Sequence, residues 1–200
     1  MFHLRWPSES SVRAALEPVA GADFTHPHEG VTRARLDVAP PGYTLDGYGC
    51  ELGEGRAVFD AAVRTIRDFG HYPPAFTGVV RLTEGFEPGL VFATVARHFG
   101  FVSTNPCRIV FVVDEREDGR FGFGLGTLPG HAVAGEERFL VQLDPATGVV
   151  RYDVQAISRP EMWLARLGRP AMRLVQRRFQ RESMAALTRS ATNEGGANDG

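Results

Sequence analysis

The clearest periodicity in the chain lies between Glu54 and Phe69. Val58, Phe59, Ala62, Val63, Ile66 and Phe69 recur at three- and four-residue spacing, with Arg56, Asp60, Arg64, Arg67 and Asp68 mostly opposite. That spacing predicts an amphipathic helix. Gly70 is the expected stop, and Pro73-Pro74 bars any continuation. A shorter helix is expected from Ser8 to Ala20. Between Gly21 and Gly53 the chain turns to Pro, Gly and brief alternating pieces such as VTRARLDV.

From residue 77 the period drops to two. TGVVRLTE, GLVFATVARHF, CRIVFVVDE, GRFGFGLGT, ERFLVQLD and VVRYDVQAIS follow in series, with turn signals at 84–89, 117–120 and 144–148. Six strands at short spacing predict one curved antiparallel sheet of six or seven strands. Beyond Pro160 the helical period returns, with Met172, Val175, Phe179, Ser183 and Ala186 on one stripe and Arg173, Arg177, Arg178 and Arg181 crowding the other side. A sheet with one apolar face needs a cover, and the last helix supplies it. The expected fold class is α+β: a single curved antiparallel sheet wrapped around a long C-terminal helix, the helix-grip arrangement. One domain is expected over residues 1–190, with a disordered tail over 191–200.

The stretch FGFGLGTLPGH (121–131) puts Phe121, Phe123, Leu125 and Thr127 on one strand face and bares the other at Gly122, Gly124 and Gly126. Its spacing matches neither a dinucleotide fingerprint nor a phosphate loop, and no helix follows it. Bare strand faces admit curvature, a close helix or a ligand. In ERFLVQLD, Glu137 shares its face with Phe139, Val141 and Leu143, so a carboxylate points toward the core. Either an arginine pairs with it, or it is a pocket acid whose pKa burial raises. Arg108, at the start of CRIVFVVDE, is the expected partner of Glu136, Glu137 or Asp153.

Composition excludes more than it selects. The 200 residues are 43% hydrophobic and 23% charged, with a net charge of −2, so no general attraction to nucleic acid or anionic membrane is expected. All 22 basic residues are arginine, a pattern read as GC-rich coding bias in a bacterial chain, and the absence of lysine excludes Schiff-base chemistry. Cys50 and Cys107 make no disulfide framework, and a buried structural thiol is expected at Cys107. No secretory signal or membrane-spanning run is visible, so a cytoplasmic location without stable membrane insertion is expected. His26-Pro27-His28 is too slight for a metal site, and no metal or cofactor is expected. Ser158, His131 and Asp153 make a hydrolase triad only on paper, because the Gly-x-Ser-x-Gly elbow is missing.

The blocks NPCRIVFVVDE, FGFGLGTLPGHAVAGEERF, Ser158-Arg159-Pro160 and RLVQRRFQRESMAAL, with GVTR and GYGCELGEGRAVFDAA before them, together resemble the family called domain of unknown function 1990, or uncharacterised protein family 0548. The resemblance covers about residues 25 to 190. It implies no particular reaction. The order of elements also resembles the START-like, or SRPBCC, helix-grip superfamily, whose members bind or transform lipids, sterols and polyketides. By analogy that implies a cavity.

Three functions stay open at this point. The first is binding of a small hydrophobic molecule of lipid, polyketide or isoprenoid type between sheet and C-terminal helix. Its expected ligand-binding residues are Arg108, Phe123, Gly124, His131, Glu137, Tyr152 and Phe179. The second is an enzyme in that pocket, with Glu137 or His131 as acid or base. The third is a filled interior and an interacting surface. Sequence leaves the oligomeric state open.

Overall fold

In the computed structural model, residues 1–98, 100–160 and 169–195 are described, and the side chains of residues 160–176 and 193–195 are left aside. The elements in order are β1 (Phe2–His3), α1 (Glu9–Leu16), β2 (Thr44–Glu54), α2 (Arg56–Arg67), β3 (Thr77–Arg81), β4 (Val91–Arg97), β5 (Val102–Glu115), β6 (Arg120–Thr127), β7 (Val133–Leu143), β8 (Val149–Pro160) and α3 (Arg169–Gly195). Short 3-10 turns at Glu17–Val19 and Val31–Arg33 stand in the connections.

The strands make one antiparallel sheet ordered β2-β8-β7-β6-β5-β4-β3, with β1 added beside the start of β5. Its concave face carries the main core, into which α2 and α3 both pack. The fold is the helix-grip expected from the strand and helix order. Ser8 caps α1 by accepting from the Ser11 amide, and α1 presents Val12 and Leu16 to a smaller cluster with Val91, Val95, Val102 and Leu128. Glu9 and Arg13 pair one turn apart on its open side.

Several boundaries differ from the periodic reading. β2 was hidden by Gly47, Gly49 and Gly53, yet Tyr48, Cys50 and Leu52 alternate along it and reach the core. VTR forms a 3-10 turn instead of a strand. β5 starts five residues before Cys107, and a bulge between Ile109 and Phe111 lets Ile109 and Val112 both face the main core. At the end of α2 the left-handed residue is Phe69 (φ 56°), not Gly70. Its ring pays for that strain by packing against Phe92 and Phe123, at 4.9 and 5.6 Å.

On α3, Ser183, Leu187 and Ala191 are fully buried and Phe179 packs at the edge of the core, whereas Ala186 is only half-buried. Met172, Val175 and Arg173 lie outside the described side chains. The helix runs on to Gly195, across the start of the expected tail, and residues 196–200 lie outside the described residues.

Candidate functional site

Strand register assembles the site. Asp46 on β2, Ala156 on β8, Glu137 on β7 and Leu125 on β6 are successive partners in one row across the sheet. Antiparallel partners present their side chains to the same face. Two carboxylates therefore stand on the concave side, separated by the small side chain of Ala156. The adjoining concave row is Tyr48, Val154, Phe139 and Phe123. On the concave face, beside the described part of α3, lies a cavity of about 670 Å³. That volume is within the roughly 300–1,000 Å³ range of small-molecule sites.

The cavity wall is mostly apolar: Phe2, Phe76, Phe101, Leu125, Val154 and Phe179 contribute, with Tyr48 and Tyr72. Its polar groups are few. Glu137 is half-buried and accepts no hydrogen bond, nor does it pair with any cation among the described residues. Burial, with a smaller contribution from the Asp46 charge, pushes its pKa up to about 7. His131 accepts from the Val133 amide through Nδ1 at 3.1 Å, and burial lowers its pKa to about 4. His98 contacts Ser103 Oγ through Nε2 at 2.7 Å and is also lowered by burial. Tyr152 Oη and Ser183 Oγ share a hydrogen bond of 3.1 Å that ties β8 to α3. Tyr48 Oη lies near that pair, buried and without hydrogen-bond geometry to either. Burial raises the pKa of Tyr48, Tyr72 and Tyr152, so all three remain neutral phenols.

Of the seven residues expected from sequence, Glu137, His131 and Phe179 line the cavity. Phe123 and Tyr152 face the same side but are fully buried in the core beneath it, Phe123 stacking on Phe139 at 5.2 Å. Two expectations are corrected. Arg108 faces outward, because it sits one residue out of phase with the inward Cys107 and Ile109; it donates to the Ala20 carbonyl and covers the Phe24 ring at 4.3 Å. It pairs with neither Glu136, Glu137 nor Asp153. Gly124 also faces outward, and its missing side chain makes room for the ring of Phe111.

The glycine stretch is thereby explained. A Cβ on Gly126 would come within 2.6 Å of the Phe24 ring, and one on Gly122 would meet the Phe139 carbonyl oxygen of the adjoining strand. Aromatic rings of the chain itself fill the bare face, where sequence had allowed a ligand or the C-terminal helix. The C-terminal helix and the cavity lie on the opposite side.

The outer face also resolves the other polar residues of β7 and β8. Glu136 accepts from the amides of Gly30 and Thr32 and from Thr32 Oγ1, at 2.6, 2.8 and 2.7 Å. Arg138 pairs with Asp153, and Gln155 exchanges two hydrogen bonds with the Leu36 backbone. Asp153 is thus on the wrong face to join Ser158 and His131, so the paper triad does not form. Cys107 is buried, donates to the Asn105 carbonyl and has its pKa raised by burial, which fits an inert thiol. Arg178 pairs with Glu182 and stacks on Phe76, while Arg177 and Arg181 are exposed.

Sequence reasoning missed Asp46, Tyr48, Tyr72 and Phe76. The signal for the first two was present: Asp46, Tyr48, Cys50 and Leu52 keep strict period two through GYGCELGE and the residues before it. Tyr72 and Phe76 sit in the connection after α2, where no periodicity speaks.

Comparisons with known proteins place this geometry. Among solved structures, the ZhuI aromatase/cyclase of Streptomyces sp. R1128 superposes with a TM-score of 0.56 at 13% identity, covering 79% of this chain and 99% of that one. The structure of Ara h 8.0201 gives 0.52 at 15% identity, over 76% of this chain and 99% of that one. At such identities the likeness is one of fold. A UPF0548 protein of Deinococcus radiodurans is 33% identical over 96% of this chain and 99% of its own length. Another from Arabidopsis thaliana is 26% identical over 94% and 97%, and one from Dictyostelium discoideum 27% over 90% of each, so the relatives are not confined to bacteria. Residues 25–186 match the domain of unknown function DUF1990. The chain belongs to this family, DUF1990 or UPF0548.

Proposed function

We propose that the protein binds a small hydrophobic molecule, of lipid, polyketide or isoprenoid type, in the cavity between its sheet and α3. The observation that carries this reading is an apolar cavity of about 670 Å³ with a carboxylate in its wall, Glu137, that no described residue pairs. Apolar pockets with a few oriented polar groups are the usual design for small-molecule recognition. The ligand's apolar body lies against Leu125, Val154 and Phe179, and Glu137 with the tyrosines orients its polar end. The aromatase/cyclase with the same fold supports a ligand of this class. No described helix is long and apolar enough to cross a membrane, and the cytoplasm is the proposed location.

Titration with the neutral apolar dye Nile red tests the reading. Stoichiometric, saturable enhancement is expected, and Ala156→Trp, which fills the centre of the site, abolishes it in a protein with unchanged circular dichroism. Equal dye binding by the folded variant would refute the site.

A second reading has one observation in its favour. A carboxyl that titrates near pH 7 in the wall of an apolar cavity suits general acid–base chemistry. Carbon-13 NMR of the Glu137 carboxyl decides it: a midpoint near 7 is expected, and ionisation below pH 4 removes the acid–base role.

A further inference from the structure

Among the described residues the charge of the cavity wall is one-sided. The chain carries 22 arginines, yet none of the described ones lines the cavity. Arg178, the guanidinium stacked behind Phe76, has its charge committed to Glu182 at 2.8 Å. The two wall histidines, His98 and His131, are held neutral by burial. Among the described residues, the groups near enough to interact electrostatically with Glu137 come from four different parts of the fold: Asp46 and Tyr48 on β2, Tyr72 after α2, Cys107 on β5 and Tyr152 on β8. Each of them is an acid or a neutral phenol or thiol. The N-terminal ammonium donates to the carbonyl oxygens of Thr104 and Gly130 and is not among the groups that influence Glu137.

A half-buried carboxylate ordinarily receives a guanidinium or several N–H donors. Glu136, its neighbour in sequence, shows the ordinary arrangement on the outer face, with three donors. Glu137 has none. Its surroundings offer instead a second carboxylate one small residue away, at Asp46, and the electron-rich rings of Tyr48 and Tyr72. Carboxylate and aromatic faces around an apolar cleft form the chemistry that recognises an organic cation. The same wall repels a carboxylate or phosphate headgroup.

We propose that the molecule held in the cavity carries a cationic nitrogen, an amine or ammonium group on an apolar body, seated against Glu137 and bordered by Asp46, Tyr48 and Tyr72. This rests on the cavity-binding reading above and narrows it to one class of ligand. The cation supplies the partner that the described residues do not and keeps Glu137 ionised. Because the free carboxyl is half-protonated near neutral pH, binding below pH 7 expels its proton. Affinity then falls as pH falls, by about tenfold between pH 8 and pH 6.

Isothermal titration calorimetry with three probes of equal chain length, decyltrimethylammonium, decanoate and decanol, each below its micelle concentration, tests the inference. At pH 8 the ammonium is expected to bind the wild-type protein at least tenfold more tightly than decanoate, and to weaken about tenfold at pH 6 while decanol does not change. Glu137→Gln removes the preference for the ammonium over decanoate and the pH dependence. Should Glu137→Gln not fold, the probe ranking and pH profile of the wild type decide alone. Decanoate binding as tightly as the ammonium, or a preference that survives in Glu137→Gln, overturns the cationic ligand and leaves the cavity reading standing. Binding of none of the three probes overturns both.

Discussion

At Gly124 a side chain would have to occupy space held by the Phe111 ring, which is 3% exposed. Overpacking of this kind costs about 1–3 kcal/mol or more. Gly124→Val should therefore lower the urea midpoint, while its folded fraction binds Nile red as the wild type does. Loss of binding without loss of stability would put the glycine face back on the ligand side. The alternation of Phe and Gly was legible in the sequence, and so was the segregation into two faces. Which face is concave was not, because period two carries no sign of curvature. His71 was equally illegible. It is fully buried among Phe69, Tyr72, Phe123 and Phe139, both ring nitrogens lack partners, and burial lowers its pKa to about 3. In the unfolded chain a histidine takes up its proton near 6.5. Stability from this group is thus complete above pH 6.5 and is lost as pH falls toward 3, by about 1.4 kcal/mol per pH unit. Glu137 works in the opposite direction. Its folded pKa of about 7 exceeds the unfolded 4.5, so its contribution is complete below 4.5 and declines up to 7. Chemical denaturation across pH should show His71→Phe gaining most over wild type at pH 4, and Glu137→Gln gaining most at pH 8. A pH-independent difference in either variant would contradict these environments.

At the scale of elements, α2 was the most legible part of the chain, since its buried stripe keeps helical spacing without interruption. β2 was the least. Its outward positions at Gly47 and Gly49 carry no polar side chain to mark the alternation, and so half of the carboxylate pair was missed. The segment between α1 and β2 is held on the outer face by side chains whose pattern on β7 and β8 reads only as polar. Glu136, Arg138 and Gln155 each reach its backbone, and Thr25 joins Thr127. The Glu136 carboxylate satisfies three donors, each such bond contributing roughly 1.5–3 kcal/mol. Glu136→Ala should speed hydrogen exchange at the Gly30 and Thr32 amides by one to two orders of magnitude. Protection in α2 should fall by no more than the overall loss of stability. Unchanged exchange at Thr32 would show that the segment is held by other contacts.

At the scale of the whole molecule, one curved sheet separates two environments. Its outer face is covered by the chain's own aromatics, α1 and the segment before β2, whereas on its inner face the described residues of α2 and α3 leave a cavity. The remaining space brings together residues from β2, β6, β7, β8, α3 and the connection after α2. Only the register of the sheet puts Asp46, Ala156 and Glu137 in one row, and no local sequence signal reports a register between β2 and β8, which are nearly a hundred residues apart. A helix-grip sheet with apolar alternation was foreseeable from sequence; a pocket whose described wall carries carboxylates and no arginine was not. Native mass spectrometry of the gently purified protein, before and after incubation with a mixed lipid extract, tests the central claim most directly. The account predicts a discrete mass increment from one small apolar molecule that solvent extraction releases and that Ala156→Trp does not retain. A bare chain mass in both samples would contradict it and would assign the protein's activity to its surface.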